Sequence, residues 1–255
     1  MNRPWSRTLP GLLALSMLAA GAGRAHAAAE VHKFSLVISA IPSQISGGDF
    51  NDQIDVVNRL LTASSLESLK KISFGWQFDV ELRYFVRPNF AVAAGVGQLR
   101  SKSERQYSFS RTDDITVTAE VLSAPIHLGG DFYLTPYNQG DFQARAYIGG
   151  GLLSLTSTYG SITSSNRTSV FPGTIRQQWS GDAPGWYAEV GAQMFFAVRY
   201  SVMLGVIYRS AVVTPTHSTL DNTVIVPNFH GAIANDRTSI DMGGGGARMS
   251  VAIGF

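Results

Sequence analysis

Large apolar side chains at Phe74, Trp76, Phe78, Val80, Leu82 and Tyr84 alternate with Gly75, Gln77, Asp79, Glu81 and Arg83. A period of 2 belongs to a strand, whose successive side chains point to opposite faces. A helix repeats every 3.6 residues and cannot separate the two sets. The apolar face is unbroken over about eleven residues, close to the ~9–11 a tilted strand needs to cross a bilayer. A soluble sandwich could use the same strand with its apolar face in the core. The rest of the chain argues against that.

Similar runs predict strands at 33–41, 73–86, 90–100, 115–134, 141–158, 185–198, 202–212 and 238–255. Trp186, Ala188, Val190, Ala192, Met194 and Phe196 oppose Tyr187, Glu189, Gly191 and Gln193. Ile126, Leu128, Gly130 and Phe132 oppose His127, Gly129, Asp131 and Tyr133. Short turns lie at Arg87-Pro88-Asn89, within 135–140 and at 199–201, where Pro, Asn and Gly favour reversal in the first two. The other connections are long, at 42–72, 101–114, 159–184 and 213–237. Short turns on one side and long loops on the other form the layout of an outer-membrane barrel, with both termini on the periplasmic side. Phe34, Tyr84, Phe90, Phe132, Phe142, Phe196, Tyr200 and Phe255 then fall near the periplasmic rim. Phe74, Trp76, Trp186 and Tyr208 fall near the outer rim, and aromatic rings favour both interfaces. The expected fold is all-β: a closed antiparallel up-and-down transmembrane β-barrel of eight strands, or ten if 159–184 hides a hairpin.

The first 27 residues read as a secretory signal peptide rather than structure. Arg3 and Arg7 precede a short apolar run over 12–20, and Ala25-His26-Ala27 offers small residues for cleavage after Ala27. The expected domains are therefore a signal peptide, 1–27, and a barrel, 28–255. Losing Arg3, Arg7 and Arg24 from 20 Lys+Arg leaves 17 against 18 Asp+Glu, a net charge near −1. Such a chain has no basic field for nucleic acid. It has no cysteine, which excludes disulfides, thiolate catalysis and Cys-ligated metals.

The chain ends Met249-Ser250-Val251-Ala252-Ile253-Gly254-Phe255, apolar at every second place with a terminal aromatic residue. In this it resembles bacterial outer-membrane β-barrel proteins, and its layout is most similar to the small eight-stranded members of the outer membrane protein A, X and W and opacity-like types. The resemblance implies that Met249, Val251, Ile253 and Phe255 act as the signal read by the barrel-assembly machinery. It further implies an outer-membrane location among outer-membrane lipids.

Eight strands close around an interior just filled by side chains. The inward set includes Asp79, Glu81, Arg83, Glu120, His127, Asp131, Arg145, Glu189, Arg209 and Arg248. Buried charges need partners, so a lumenal salt-bridge network is expected, with a narrow ion path as the sharper alternative. The first long loop contains a predicted helix over 49–61, capped by Asp49 or Asn51, with Ile54, Val57 and Leu61 on one face. Ser64 with Glu67 offers a second helix start.

Motifs for chemistry are sparse. His32, His127, His217 and His230 lack paired metal-ligand spacing, and no G-x-S-x-G elbow occurs. Ser123 and His127 share a face, but Glu120 is offset by an odd number and falls on the other unless a bulge intervenes. No catalytic, cofactor or metal site is expected. The leading expectation is a non-enzymatic structural or surface-interaction barrel. The alternative is a narrow conduit for small or hydrophobic molecules with the loop helix as gate, followed by a lipid-modifying enzyme.

Overall fold

The computed structural model describes residues 32–110, 113–134, 137–139, 142–167, 173–215, 217–222 and 238–255. The expected signal peptide, with Ala25 and Ala27, lies outside them, as do His230 and the apolar residues Val224 and Phe229. Eight long strands follow one another: β1 Phe34–Gln44, β2 Phe74–Arg87, β3 Phe90–Ser108, β4 Asp114–Tyr133, β5 Phe142–Asn166, β6 Gly173–Phe195, β7 Tyr200–Val213 and β8 Gly244–Gly254. Each pairs antiparallel with its successor, and β8 pairs back onto β1 through Ala40↔Met249 and Ser35↔Gly254, which closes the ring. One helix, α1 Asp49–Ala63, follows β1.

Alternation sorts the side chains as the sequence demands. On β2 the apolar set faces out, with Phe78 58% exposed, while Asp79, Glu81 and Arg83 are buried. Leu128, Ile148, Leu152, Val190 and Val206 continue the exposed apolar belt around the wall. A belt of this extent has no place on a water-soluble monomer and suits lipid. Rings gather at its lower edge, where Phe34 lies 5.1 Å from Tyr84 and 5.9 Å from Phe255. Trp186 and Tyr208 pair at 5.6 Å at the upper edge.

The middle strands run well past the membrane. β3 continues to Ser108 and β6 begins at Gly173, whereas the sequence pattern marks only 90–100 and 185–198. These extensions are rich in polar residues on the outer face, so the contrast between faces fades there. On β5 the alternation itself breaks. Ser157 adopts φ 50° and forms a bulge, between pairs Leu155↔Ala183 and Thr158↔Gly181. Buried positions switch from Leu153 and Leu155 to Thr158 and Ile162 across it, so the strand continues to Asn166 where the pattern ends it at 158. The 159–184 stretch does hold a hairpin, but as the upward extension of β5 and β6 rather than as two further staves. The short strand His217–Asn222 adds to the β6 extension, and Ile240–Asp241 adds to β7.

The helix begins and ends differently from its sequence signals. Its N-cap is Gly48, at φ 57°, without a side-chain cap bond. Asp49 instead accepts from the Ser239 hydroxyl at 2.7 Å. Asn51 clamps the backbone N–H and carbonyl of Ile72, both at 2.9 Å. Both expected caps are thus engaged in tethering. Ser64 with Glu67 is a stop rather than a second start. Ser65 turns left-handed at φ 60°, and the Leu66 N–H returns to the Leu61 carbonyl at 2.9 Å. Glu67 pairs with Arg105 at 2.9 Å.

Candidate functional site

The interior is stacked in layers. Lowest is Arg145, whose guanidinium lies 3.9 Å from the Tyr133 ring centroid, 5.0 Å from Phe85 and 5.2 Å from Phe195. Above it sits a ring of ion pairs. Because β2 turns every second residue inward, Asp79, Glu81 and Arg83 project together, and β4, β6 and β8 bring His127, Asp131, Glu189 and Arg248 against them. Arg83 meets Glu81 at 2.5 Å, Asp131 at 3.2 Å and Glu189 at 3.4 Å. The Asp131 contact is an ion pair without hydrogen-bond alignment. Arg248 meets Glu189 at 2.5 Å and Glu81 at 3.2 Å. His127 stands between two carboxylates, 2.9 Å from Glu81 and 3.6 Å from Asp79. Arg209 forms the next layer, donating to the Met242 carbonyl at 2.8 Å and the Gln77 amide oxygen at 2.9 Å.

Asp79, Glu81 and His127 bring potential ligand atoms within 4.8 Å of one another, a proximity that sequence spacing did not reveal. The two carboxylates are already answered by Arg248, by Arg83 and by the imidazole, so this trio is a knot of ion pairs before it is a cation site. The space left is small. The void lined by Asp79, His127, Tyr187, Arg209 and Arg248 is about 20 Å³, room for one or two waters.

The top layer is apolar. Phe50, Ile54, Val57 and Leu61 fall on one face of α1 and are buried against Leu99, Val121, Leu155, Ala183 and Val213 from the barrel wall. Trp179, fully buried, meets Phe50 edge-on at 5.8 Å and 87°. Asn58 fixes the return chain by accepting from the Leu69 N–H at 2.7 Å and donating to its carbonyl at 3.0 Å. The helix therefore packs into the barrel mouth rather than floating above it. A cavity of about 200 Å³ remains beside its last turn, between Leu60, Leu66, Ile115, Ile162 and Ile175. The outer face of the same extended sheet is polar. Arg100 pairs with Glu120 at 2.6 Å and Lys102 with Glu104 at 2.5 Å.

Glu120 thus stands on the outer face, not in the lumen, because the β3–β4 register runs without a bulge from Gly95↔His127 to Lys102↔Glu120. Ser123 is buried and bonds Thr158 at 2.6 Å, and the Ser123, His127 and Glu120 grouping is not assembled. Met249, Val251 and Phe255 are exposed on the outer wall, and Ile253 half-exposed.

The family model for the outer membrane protein β-barrel domain matches residues 11–229. The chain belongs to that family. Its place is accordingly the bacterial outer membrane, and in this barrel architecture the short turns face the periplasm and the long hairpins the exterior. Among solved structures, the barrel is similar to neisserial surface protein A, with 12% identity over 89% of this chain and 99% of the other, at TM-score 0.38. It is also similar to Ail, the attachment invasion locus protein of Yersinia pestis, with 13% identity over 88% and 98%, at 0.34. A third is the outer membrane protease OmpT from Escherichia coli, with 11% identity over 87% and 95%, at 0.39. No curated protein matches the chain.

Sequence reasoning missed the layer around Arg145 and the contribution of Trp179. Tyr133 and Tyr147 carry the inward parity that could have suggested the former. Trp179 sits among polar residues and carried no such signal.

Proposed function

We propose that this outer-membrane barrel is a closed, non-enzymatic scaffold that holds a rigid sheet-and-helix platform at the cell surface for interaction. The observation that carries the reading is the packed interior. Arg145, the ion ring, Arg209 and α1 occupy successive levels of an eight-stranded lumen; the voids beside Arg145 and beside the ion ring are about 20 Å³ each, and the cavity of about 200 Å³ beside α1 lies above them. The conduit reading needs a continuous path, and no feature of these layers favours one. The wall then serves to present what lies above it. Four strand extensions and α1 share one buried apolar core, and His217–Asn222 pairs along the β6 extension, which fixes the platform without a bound partner. Its polar outer face and the apolar recess near Leu60 are the two surfaces a partner could use.

In this reading outer-membrane lipids cover the apolar belt, and Met249, Val251, Ile253 and Phe255 present the strand that the assembly machinery reads. The test is to replace the hairpin extensions above Arg100 and Thr156 with short turns. Intact cells carrying either form are then compared for binding to polysaccharide- and protein-coated surfaces. Loss of binding with normal membrane assembly is expected. Equal binding by the trimmed barrel would overturn the reading.

A further inference from the structure

Two lumenal arginines have no carboxylate partner among the described residues, and they differ in how they are satisfied. Arg209 is surrounded by oxygen acceptors: the Met242 carbonyl at 2.8 Å, the Gln77 amide at 2.9 Å, the Ser43 hydroxyl at 3.2 Å and the Gln44 carbonyl at 3.4 Å. Arg145 is 6% exposed, yet among the described residues it has only the Gln193 amide oxygen at 2.9 Å and the Pro88 carbonyl at a long 3.5 Å. A guanidinium carries five N–H donors, so most of its donor capacity is unspent. Three aromatic rings hold it in place, but rings do not neutralise a buried charge.

Beside it a cavity of about 20 Å³ opens at the periplasmic mouth. Its polar side chains are His32, Ser35, Arg145, Gln193, Arg199 and Ser201, with no acid among them. The hydrogen bonds around it point one way. Arg145 Nε donates to Gln193 Oε1, and Gln193 Nε2 donates to Ser201 Oγ at 2.6 Å. Ser201 Oγ therefore accepts from within the wall and keeps its own proton for another acceptor. Cations and donors surround a space that contains no anionic group of the described chain.

We propose that the periplasmic mouth of the barrel binds a carboxylate, held by the Arg145 guanidinium together with the Ser35 and Ser201 hydroxyls. The cavity admits a group the size of one or two waters. It takes a planar carboxylate end, while the body of the ligand stays in the periplasm. An arginine fork matches that geometry. The site lies at the opposite end of the lumen from α1 and is independent of the surface role proposed above.

The test uses the full chain refolded in detergent micelles and [1-13C]acetate as probe. The acetate resonance should broaden saturably with wild type and with Arg209→Gln. With Arg145→Gln, the apparent affinity should fall at least tenfold. A Ser35→Ala/Ser201→Ala double variant, which leaves the guanidinium in place, should bind at least threefold more weakly. N-acetylalanine should displace acetate and N-acetylalanine amide should not, which separates a peptide-end carboxylate from a site open only to free acetate. Inorganic phosphate, with four oxygens, should displace it poorly. The proposal is overturned if Arg145→Gln broadens acetate as wild type does. Should that variant fail to fold, unchanged binding by the folded serine variant overturns it equally. Tighter competition by phosphate than by N-acetylalanine also overturns it.

Discussion

Replacing Arg83 with methionine tests the ion ring at its most connected point. Arg83 is 1% exposed and faces three carboxylates within 3.4 Å: Glu81, Asp131 and Glu189. It also donates to the Tyr133 hydroxyl at 2.5 Å. Glu81 and Glu189 would keep Arg248, but Asp131 has no other ion-pair partner among the described residues. Removing one member of a buried ion pair leaves an uncompensated charge, at a cost of about 3–5 kcal/mol. Arg83→Met should therefore destabilise the barrel by about that amount. Adding Asp131→Asn should restore about 1–3 kcal/mol, the size of coupling between contacting groups. The assay is equilibrium urea unfolding in lipid vesicles, followed by tryptophan fluorescence. A single variant within about 1 kcal/mol of wild type, with no recovery in the double, would refute the ring as a mutually compensating unit.

Three further outcomes are expected. Phe50→Ala removes a fully buried ring from the α1 interface and should cost about 3–5 kcal/mol locally, read as faster amide exchange over 49–63 with little change in the membrane wall. Gly48→Ala places a side chain at φ 57° and ψ −144°, a region kept for glycine, and should weaken helix docking by about 1–3 kcal/mol, read as earlier trypsin cleavage after Arg59. In the exposed β3–β4 hairpin, Lys102 bonds Glu104 at 2.5 Å and holds its carboxyl below the usual range. Its small contribution is present above the ordinary glutamate range and fades as pH falls through the lowered value. Lys102→Ala should raise the titration, followed by carboxyl 13C shifts, toward the ordinary range, with the Thr118 hydroxyl bond still holding it slightly low.

The membrane-spanning part was legible because lipid imposes a strict contrast between faces. The lumenal charges at Asp79, Glu81, Arg83, Arg145, Glu189 and Arg209 follow directly from that parity, and the inward face of α1 follows from its own 3.6-residue spacing. Above the membrane the contrast weakens, and so did the reading. The β6 extension contains Gly181, Asp182 and Pro184, which signal a turn. Pairing with β7 ends at Gly185↔Ala211, so Pro184 withholds no N–H from that ladder. Ser157 shifts the parity of β5 by one residue, and nothing in its identity announces a bulge. The caps failed for a different reason, since Asp49 and Asn51 bond residues distant in sequence. The proximity of His127 to Glu81 depends likewise on strand register, which a single strand does not encode.

The central claim is a lumen closed along its length, and single-channel recording in planar bilayers tests it most directly. The wild-type barrel should insert without steady conductance steps. The α1-docking variant Phe50→Ala should also stay silent, because Arg145, the ion ring and Arg209 remain below the mouth. Reproducible open channels from the wild-type chain would contradict the account.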